Sequence, residues 1–268
     1  MNNHKATISQ HEFLSNGITL RATAIKPRVL PHPSEQAVVV MATGDGPKGT
    51  QSSSWKPLTD AVIAARASVF LFDFQGLGLS DGVQGDLTIT AGVENLRDAI
   101  SALRGLDWAR TAHIGGLGSS FGACAMLILQ GQESPFLAVG LKSPASFLPE
   151  AYENEHGEEG MRIWASKGKS PITGYDYKAY LDSLTYNVYR LARNISCPTL
   201  IVHGAADTVV PVAQSRRLAR ALRNCVALNV LDGVNHDYKQ PGALESLSQH
   251  QSAFFSAYLV GKRRNHEG

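Results

Sequence analysis

With 268 residues, 43% of them hydrophobic and 18% charged, the chain has the composition of an ordinary folded domain, which excludes fibrous and disordered classes. Its 25 Lys and Arg nearly balance 23 Asp and Glu, a net charge of +2 spread along the sequence, so no nucleic-acid partner is expected. No run nears the roughly eighteen apolar residues of a membrane span, and Met1–Thr7 lacks the apolar core of a secretory signal, so a cytoplasmic protein with no membrane partner is expected.

Taken in order, Ala6–Phe13 and Ile18–Ile25 alternate polar and apolar residues around Asn16-Gly17, the pattern of a hairpin. Continuous apolar runs follow at Ala37–Met41, Ser68–Phe72, His113–Gly116, Phe136–Leu141, Thr199–His203 and Val226–Leu231. Helical patterns fall between and after them, at about Trp55–Arg66, Ala91–Leu106, Ser120–Gln130, Val212–Leu222 and Ala243–Leu259. Apolar strands alternating with helices predict one α/β domain over 1–268, its eight-stranded, mostly parallel sheet covered on both faces. The alternation breaks once, between Ser143 and Ser196, where Glu150, Glu153, Glu155, Glu158 and Glu159 precede an aromatic stretch. An insertion of this size predicts a cap at about residues 144–195, over a site at the strand ends. A pair of plain surface helices is the alternative. Cys124, Cys197 and Cys225 show no CxxC spacing, so neither a disulfide framework nor a metal site is expected. Lys262-Arg263-Arg264 reads as a solvated tail.

Gly44-Asp45-Gly46-Pro47-Lys48-Gly49 follows a strand, and Asp73 ends the next one, the outline of a dinucleotide site. Such a site needs its third glycine in the first helical turn, whereas Thr50–Ser54 intervenes here before the helix. A dinucleotide-dependent oxidoreductase is therefore the weaker reading and no cofactor is expected. A loop offering backbone donors accounts for the same glycines. Of two GxSxG segments, Gly78–Gly82 runs on into Val83-Gln84-Gly85-Asp86, which is loop. Gly118–Gly122 joins the run at His113 to the apolar helix at Phe121. A nucleophilic serine needs such a strand–turn–helix setting, so Ser120 is the candidate and Ser80 is structural.

A serine hydroxyl is a poor nucleophile until a base takes its proton, and that base needs an acid to hold its tautomer. Asp207 follows the strand at Thr199, and His236 follows the next strand. With Ser120 they fall at the carboxyl ends of parallel strands, in the order Ser, Asp, His. Asp232 and Asp237 flank His236 but do not follow the preceding strand as Asp207 does, and His203 ends a buried strand and reads as packed.

The segments VFLFDFQGLGLSDG, GLGSSFG and LIVHGAADTVVP resemble the strand-four loop, nucleophile elbow and acid segment of the α/β-hydrolase superfamily. With the N-terminal strands, the resemblance covers nearly the whole chain. The short cap and Leu141–Glu150 are similar to the cinnamoyl and feruloyl esterase branch, a less specific match. The resemblance implies that Ser120, Asp207 and His236 form a triad and that the backbone N–H groups of Phe121 and Asp45 form an oxyanion hole. Relatives carry His-Gly where this chain has Thr43-Gly44, and an Asp45 carboxylate beside an oxyanion is unfavourable unless it points away. The activity implied is hydrolysis of carboxylic esters or thioesters of small to medium acyl groups, and the ring-rich cap, with Tyr152, Tyr175, Tyr177, Tyr180, Tyr186, Tyr189 and Trp164, suits an aromatic or unsaturated acyl group. Cap residues Tyr152, Trp164 and Tyr175 are expected to touch that small-molecule substrate. An acyltransferase or cyclase using the same triad, and a non-catalytic binding protein on the same fold, are the alternatives.

Overall fold

The computed structural model describes residues 6–27 and 36–260, so the basic tail at Lys262 lies outside the described residues. The first two alternating segments form an antiparallel hairpin, β1 (Thr7–Ser15) and β2 (Ile18–Lys26). Asn16 and Gly17 turn it with φ of 49° and 78°, the left-handed pair that a tight two-residue hairpin requires. The strands that follow are β3 (Ala37–Ala42), β4 (Ser68–Phe72), β5 (His113–Ser119), β6 (Val139–Lys142), β7 (Thr199–Gly204) and β8 (Cys225–Leu231). They make one eight-stranded sheet in the order β1-β2-β4-β3-β5-β6-β7-β8. The pairing of β2 with β4 is antiparallel, and from β4 through β8 every pairing is parallel. From β3 the chain crosses to β4 on one side and later to β5 on the other. The carboxyl ends around β3 and β5 therefore open a crevice where ligands bind in such sheets.

Alternate residues of each parallel strand face opposite sides. Val38, Val40, Phe70, Phe72, Ile114 and Leu141 pack against α2 (Ile89–Arg104), α3 (Phe121–Glu133) and α7 (Val212–Ala221). Val39, Met41, Val69, Leu71 and Val202 pack against α1 (Trp55–Ala64) and α8 (Ala243–Phe255). Each such fully buried side chain contributes roughly 1.5–3 kcal/mol of transfer free energy. The break in the alternation is α4 (Leu148–Lys167), α5 (Tyr177–Ser183) and α6 (Val188–Ala192), with α4 interrupted at Gly157 (φ 61°, ψ 177°).

Two strand boundaries differ from expectation by three residues. Strand β5 extends to Ser119, three residues beyond the apolar run, because its glycines still pair with β3 and β6. Strand β6 begins at Val139 instead of Phe136. The Gln130 side chain takes both backbone groups of Phe136, accepting its N–H at 2.9 Å and donating to its carbonyl at 3.0 Å. That residue is thus held by a side chain and not by the ladder.

Candidate active site

Strand β5 passes into α3 through Ser120, which sits at φ 50°, ψ −114°. A non-glycine residue held there carries strain of about 1–3 kcal/mol and persists only where its surroundings fix it. Ser120 N–H donates to Lys142 O at 3.0 Å, and Ser120 O accepts from Ala145 N–H at 3.3 Å. The neighbouring glycines make the turn possible. A Cβ on Gly118 would lie 2.6 Å from Ala123 Cα, and one on Gly122 would lie 2.2 Å from Thr43 O. Phe121 is the first residue of α3, so its N–H has no intrahelical acceptor.

Asp207 and His236 meet across the ends of β7 and β8. His236 Nδ1 is 2.7 Å from Asp207 Oδ2. The Asp207 side chain is fully buried, and its Oδ1 accepts N–H bonds from Val209 at 3.0 Å and Val210 at 2.8 Å. His203, also fully buried, places Nε2 3.0 Å from Val210 O and 3.2 Å from Asp207 Oδ2, with Nδ1 2.7 Å from Ser215 Oγ. Burial alone would raise the Asp207 pKa. The bonds from His203 and His236, the His236 charge and the Val210 N–H outweigh it and hold the carboxyl well below its usual range. Ser120 and His236 border one cleft of about 590 Å³, with Asp207 behind the imidazole. No hydrogen bond joins Ser120 Oγ to His236 among the described residues. Such contacts tighten when substrate binds.

Thr43-Gly44-Asp45 runs beside the serine: a Cβ on Gly44 would lie 3.4 Å from Ser120 Cβ. The Asp45 carbonyl accepts from Tyr175 Oη at 2.9 Å and Gln84 Nε2 at 3.4 Å, which anchors this loop to the inserted segment. The Asp45 carboxyl is pushed up by burial, against the pull of its own N–H and of His236. Glu155, on α4, borders the same cleft and is raised by burial and by Asp45. For Asp45 the shift runs against the charge that would oppose a nearby oxyanion.

Of the three cap residues expected to touch substrate, Tyr152 reaches the cleft wall. Trp164 and Tyr175 do not. Trp164 is fully buried, with Nε1 donating to Tyr175 O at 2.9 Å and its ring stacked 4.7 Å from His156. Tyr175 is 1% exposed, its hydroxyl spent on Asp45. Rings of this size gain more from filling the space between α4, α5 and the loop than from facing water. Ser80 also lies elsewhere, donating to Asp73 O at 2.7 Å and accepting from Arg21 N–H at 2.9 Å. Asp73 accepts from Thr50 N–H, Thr50 Oγ1 and Leu79 N–H, so the acid a dinucleotide site would use on a ribose is occupied by its own loops. Gly49 lies in a short 3₁₀ turn ahead of α1, outside the first turn of that helix.

Sequence reasoning missed Glu155, one of five acids with no pattern to single it out. It missed Lys142 too, which reads as the polar residue closing a strand. No helix of the described residues is long and apolar enough to cross a membrane.

Solved structures similar to this chain share its fold. Est1E from Butyrivibrio proteoclasticus with ferulic acid bound superposes with a TM-score of 0.81 at 21% identity, covering 93% of this chain and 99% of that one. The α/β hydrolase GrgF from Penicillium sp. sh18 gives 0.72 at 20% identity, with 95% and 99% covered. Among curated proteins, an uncharacterized protein of Mycobacterium tuberculosis is 26% identical over 207 residues, 77% of this chain. YfhR of Escherichia coli is 24% identical over 189 residues, 69% of this chain. The matches span only 66% and 58% of those relatives' own lengths. The prolyl oligopeptidase family matches residues 85–262, a stretch that holds Ser120, Asp207 and His236 and most of the parallel sheet, and this α/β-hydrolase chain belongs to that family.

Proposed function

We propose that the chain is a serine hydrolase cleaving carboxylic esters or thioesters of small to medium acyl groups through an acyl-enzyme. The observation that carries this reading is the 2.7 Å contact between His236 Nδ1 and Asp207 Oδ2, beside a cleft that also holds Ser120 at φ 50°. Ser120 Oγ attacks the acyl carbonyl while His236 Nε2 takes its proton. Asp207 fixes the Nδ1–H tautomer and stabilises the imidazolium. The N–H groups of Phe121 and Asp45 receive the oxyanion. His236 returns the proton to the departing alcohol or thiol, and water then releases the acid by the same steps.

Specificity follows from the cleft wall. Tyr152 offers an aromatic face, with Leu148, Ala151 and Val210 beside it, while Trp164 and Tyr175 brace the cap from behind. Ferulic acid in the similar Est1E supports an aromatic acyl group. Asp45, Glu155 and Asp237 disfavour an anionic one. Membership of the prolyl oligopeptidase family favours a second reading, in which the same groups cleave a peptide amide.

The test is a series of p-nitrophenyl esters, acetyl, octanoyl, palmitoyl, cinnamoyl and feruloyl, with a dipeptide p-nitroanilide added. Cinnamoyl, feruloyl and acetyl esters are expected to exceed monomeric palmitoyl ester in kcat/KM by about tenfold. A succinyl ester is expected to trail its butyryl counterpart, also by about tenfold, from charge repulsion. A palmitoyl optimum overturns the aromatic pocket, and an anilide preferred to every ester moves the function to the peptide reading.

A further inference from the structure

Lys142 closes β6 directly opposite Ser119, the nucleophile's neighbour on the adjacent strand β5, yet it is 7% exposed and forms no salt bridge among the described residues. Its Nζ donates to the His236 carbonyl at 3.1 Å and lies 4.5 Å from the centre of the Tyr238 ring; Ser119 Oγ is 3.5 Å away. Tyr238 is itself constrained. It sits at φ 57°, and its hydroxyl donates to Val202 O at 3.0 Å and receives Ser143 Oγ at 3.4 Å. The loop bearing the imidazole is thereby tied to the sheet twice, at His236 by Lys142 and at Tyr238 by β7.

We propose that Lys142 is a positioning residue: its ammonium sets the place of the His236 imidazole against Ser120 by holding the histidine's own carbonyl and the ring two residues on. The proposal rests on the hydrolase reading above. An ammonium is a costly way to fill space, since burying a charge is unfavourable unless it is compensated. A methionine would pack the same volume without that cost. Asp207 and Asp237 supply some compensation, and Lys239 and Glu245 line the neighbouring cavity that Lys142 also borders. Burial still wins and brings the Lys142 pKa down to about 8 from 10.5. The side chain is therefore charged below that value and neutral above it, within a range where a hydrolase can be assayed. As pH rises past it, the bond to His236 O weakens and the attraction to the Tyr238 face is lost.

The same shift fixes the sign of the stability effect. The folded value lies below the unfolded one, so the unfolded chain binds more protons between pH 8 and 10.5 and stability rises with pH across that window. Below it, the folded protein bears the full cost of the buried charge. Removing that charge at pH 7 should then raise Tm while it lowers activity. A merely structural lysine would lower both.

The experiment compares the wild type with Lys142→Met, which removes donor and charge, and Lys142→Gln, which keeps a donor. For Lys142→Met, kcat for p-nitrophenyl acetate is expected to fall by roughly tenfold or more, with KM within a few-fold and Tm unchanged or higher. Lys142→Gln should recover part of kcat, since it restores the donor but not the charge. The wild-type pH profile should show an alkaline limb near pH 8, absent from both variants. The low-field proton resonance of His236 Nδ1–H, observed without substrate, should broaden in Lys142→Met and persist in Lys142→Gln. A Lys142→Met protein with wild-type kcat, alkaline limb and resonance overturns the proposal. So does failure of both variants to fold, which would make the lysine structural. If the wild type proves inactive on every ester, the hydrolase reading fails by itself, and the resonance and Tm still decide whether Lys142 holds the histidine.

Discussion

Ser120→Ala is expected to reduce kcat/KM for p-nitrophenyl acetate by roughly a thousandfold or more, with an unchanged melting temperature or a higher one. The size follows from the proposed mechanism: without Oγ no acyl-enzyme would form, and only the proposed backbone donors of Phe121 and Asp45 would remain to polarise the carbonyl. The stability effect follows from Ser120 making no side-chain hydrogen bond among the described residues while held at φ 50°, so truncation removes no folding interaction seen there. Ser80→Ala serves as the internal contrast. Its hydroxyl joins Asp73 O and Arg21 N–H between the β4 loop and β2, and losing it should cost about 1 kcal/mol of stability with kcat within a few-fold. Steady-state kinetics and thermal melts of both variants check the pair, and a dead Ser80→Ala beside an active Ser120→Ala would reverse the roles.

The second large effect is expected for Asp207→Asn, a loss of roughly a thousand- to ten-thousandfold in kcat. Oδ1 already accepts two backbone N–H groups, from Val209 and Val210, so the carbonyl oxygen of an asparagine would take that place. Its amide N–H₂ would then face His236 Nδ1 and the Nε2 of His203. A donor there forces the proton of His236 onto Nε2, and the base loses its lone pair toward Ser120. His203 keeps Val210 O as its acceptor, so the fold should survive with a modest drop in Tm. Substantial activity in a folded Asp207→Asn would mean that another acid orients the imidazole, and Asp237 beside it is the one to change next.

Much of this was legible in the chain because its physics is local. Runs such as AVVVM, or the Leu200-Ile201-Val202 core of TLIVH, are apolar on consecutive residues, which suits a sheet buried on both faces, and β3 and β7 are buried throughout. Ser120 was separable from Ser80 because one glycine-flanked serine opens an apolar helix and the other opens a loop. Asp207 and His236 could be placed by their strands, and their contact is a consequence of β7 and β8 being neighbours. What could not be read is set by packing between distant segments. Aromatic density in the cap does not say which ring faces the cleft, and Trp164 and Tyr175 turn inward because α4 and α5 close over them. Glu155 reaches the site through the position of α4, which ends its first half at Gly157. Lys142 looks like a strand-ending surface residue, and it becomes buried only when the loop after β8 folds across it.

The most direct test of the central claim is covalent labelling of the intact protein with a fluorophosphonate, followed by peptide mapping of the adduct. A serine activated by His236 and Asp207 should react stoichiometrically, with the phosphonyl group on Ser120 and on no other serine, and labelling should collapse in Ser120→Ala and Asp207→Asn. An unlabelled, folded protein, or an adduct carried by Ser80 or any serine outside the 590 Å³ cleft, would contradict it.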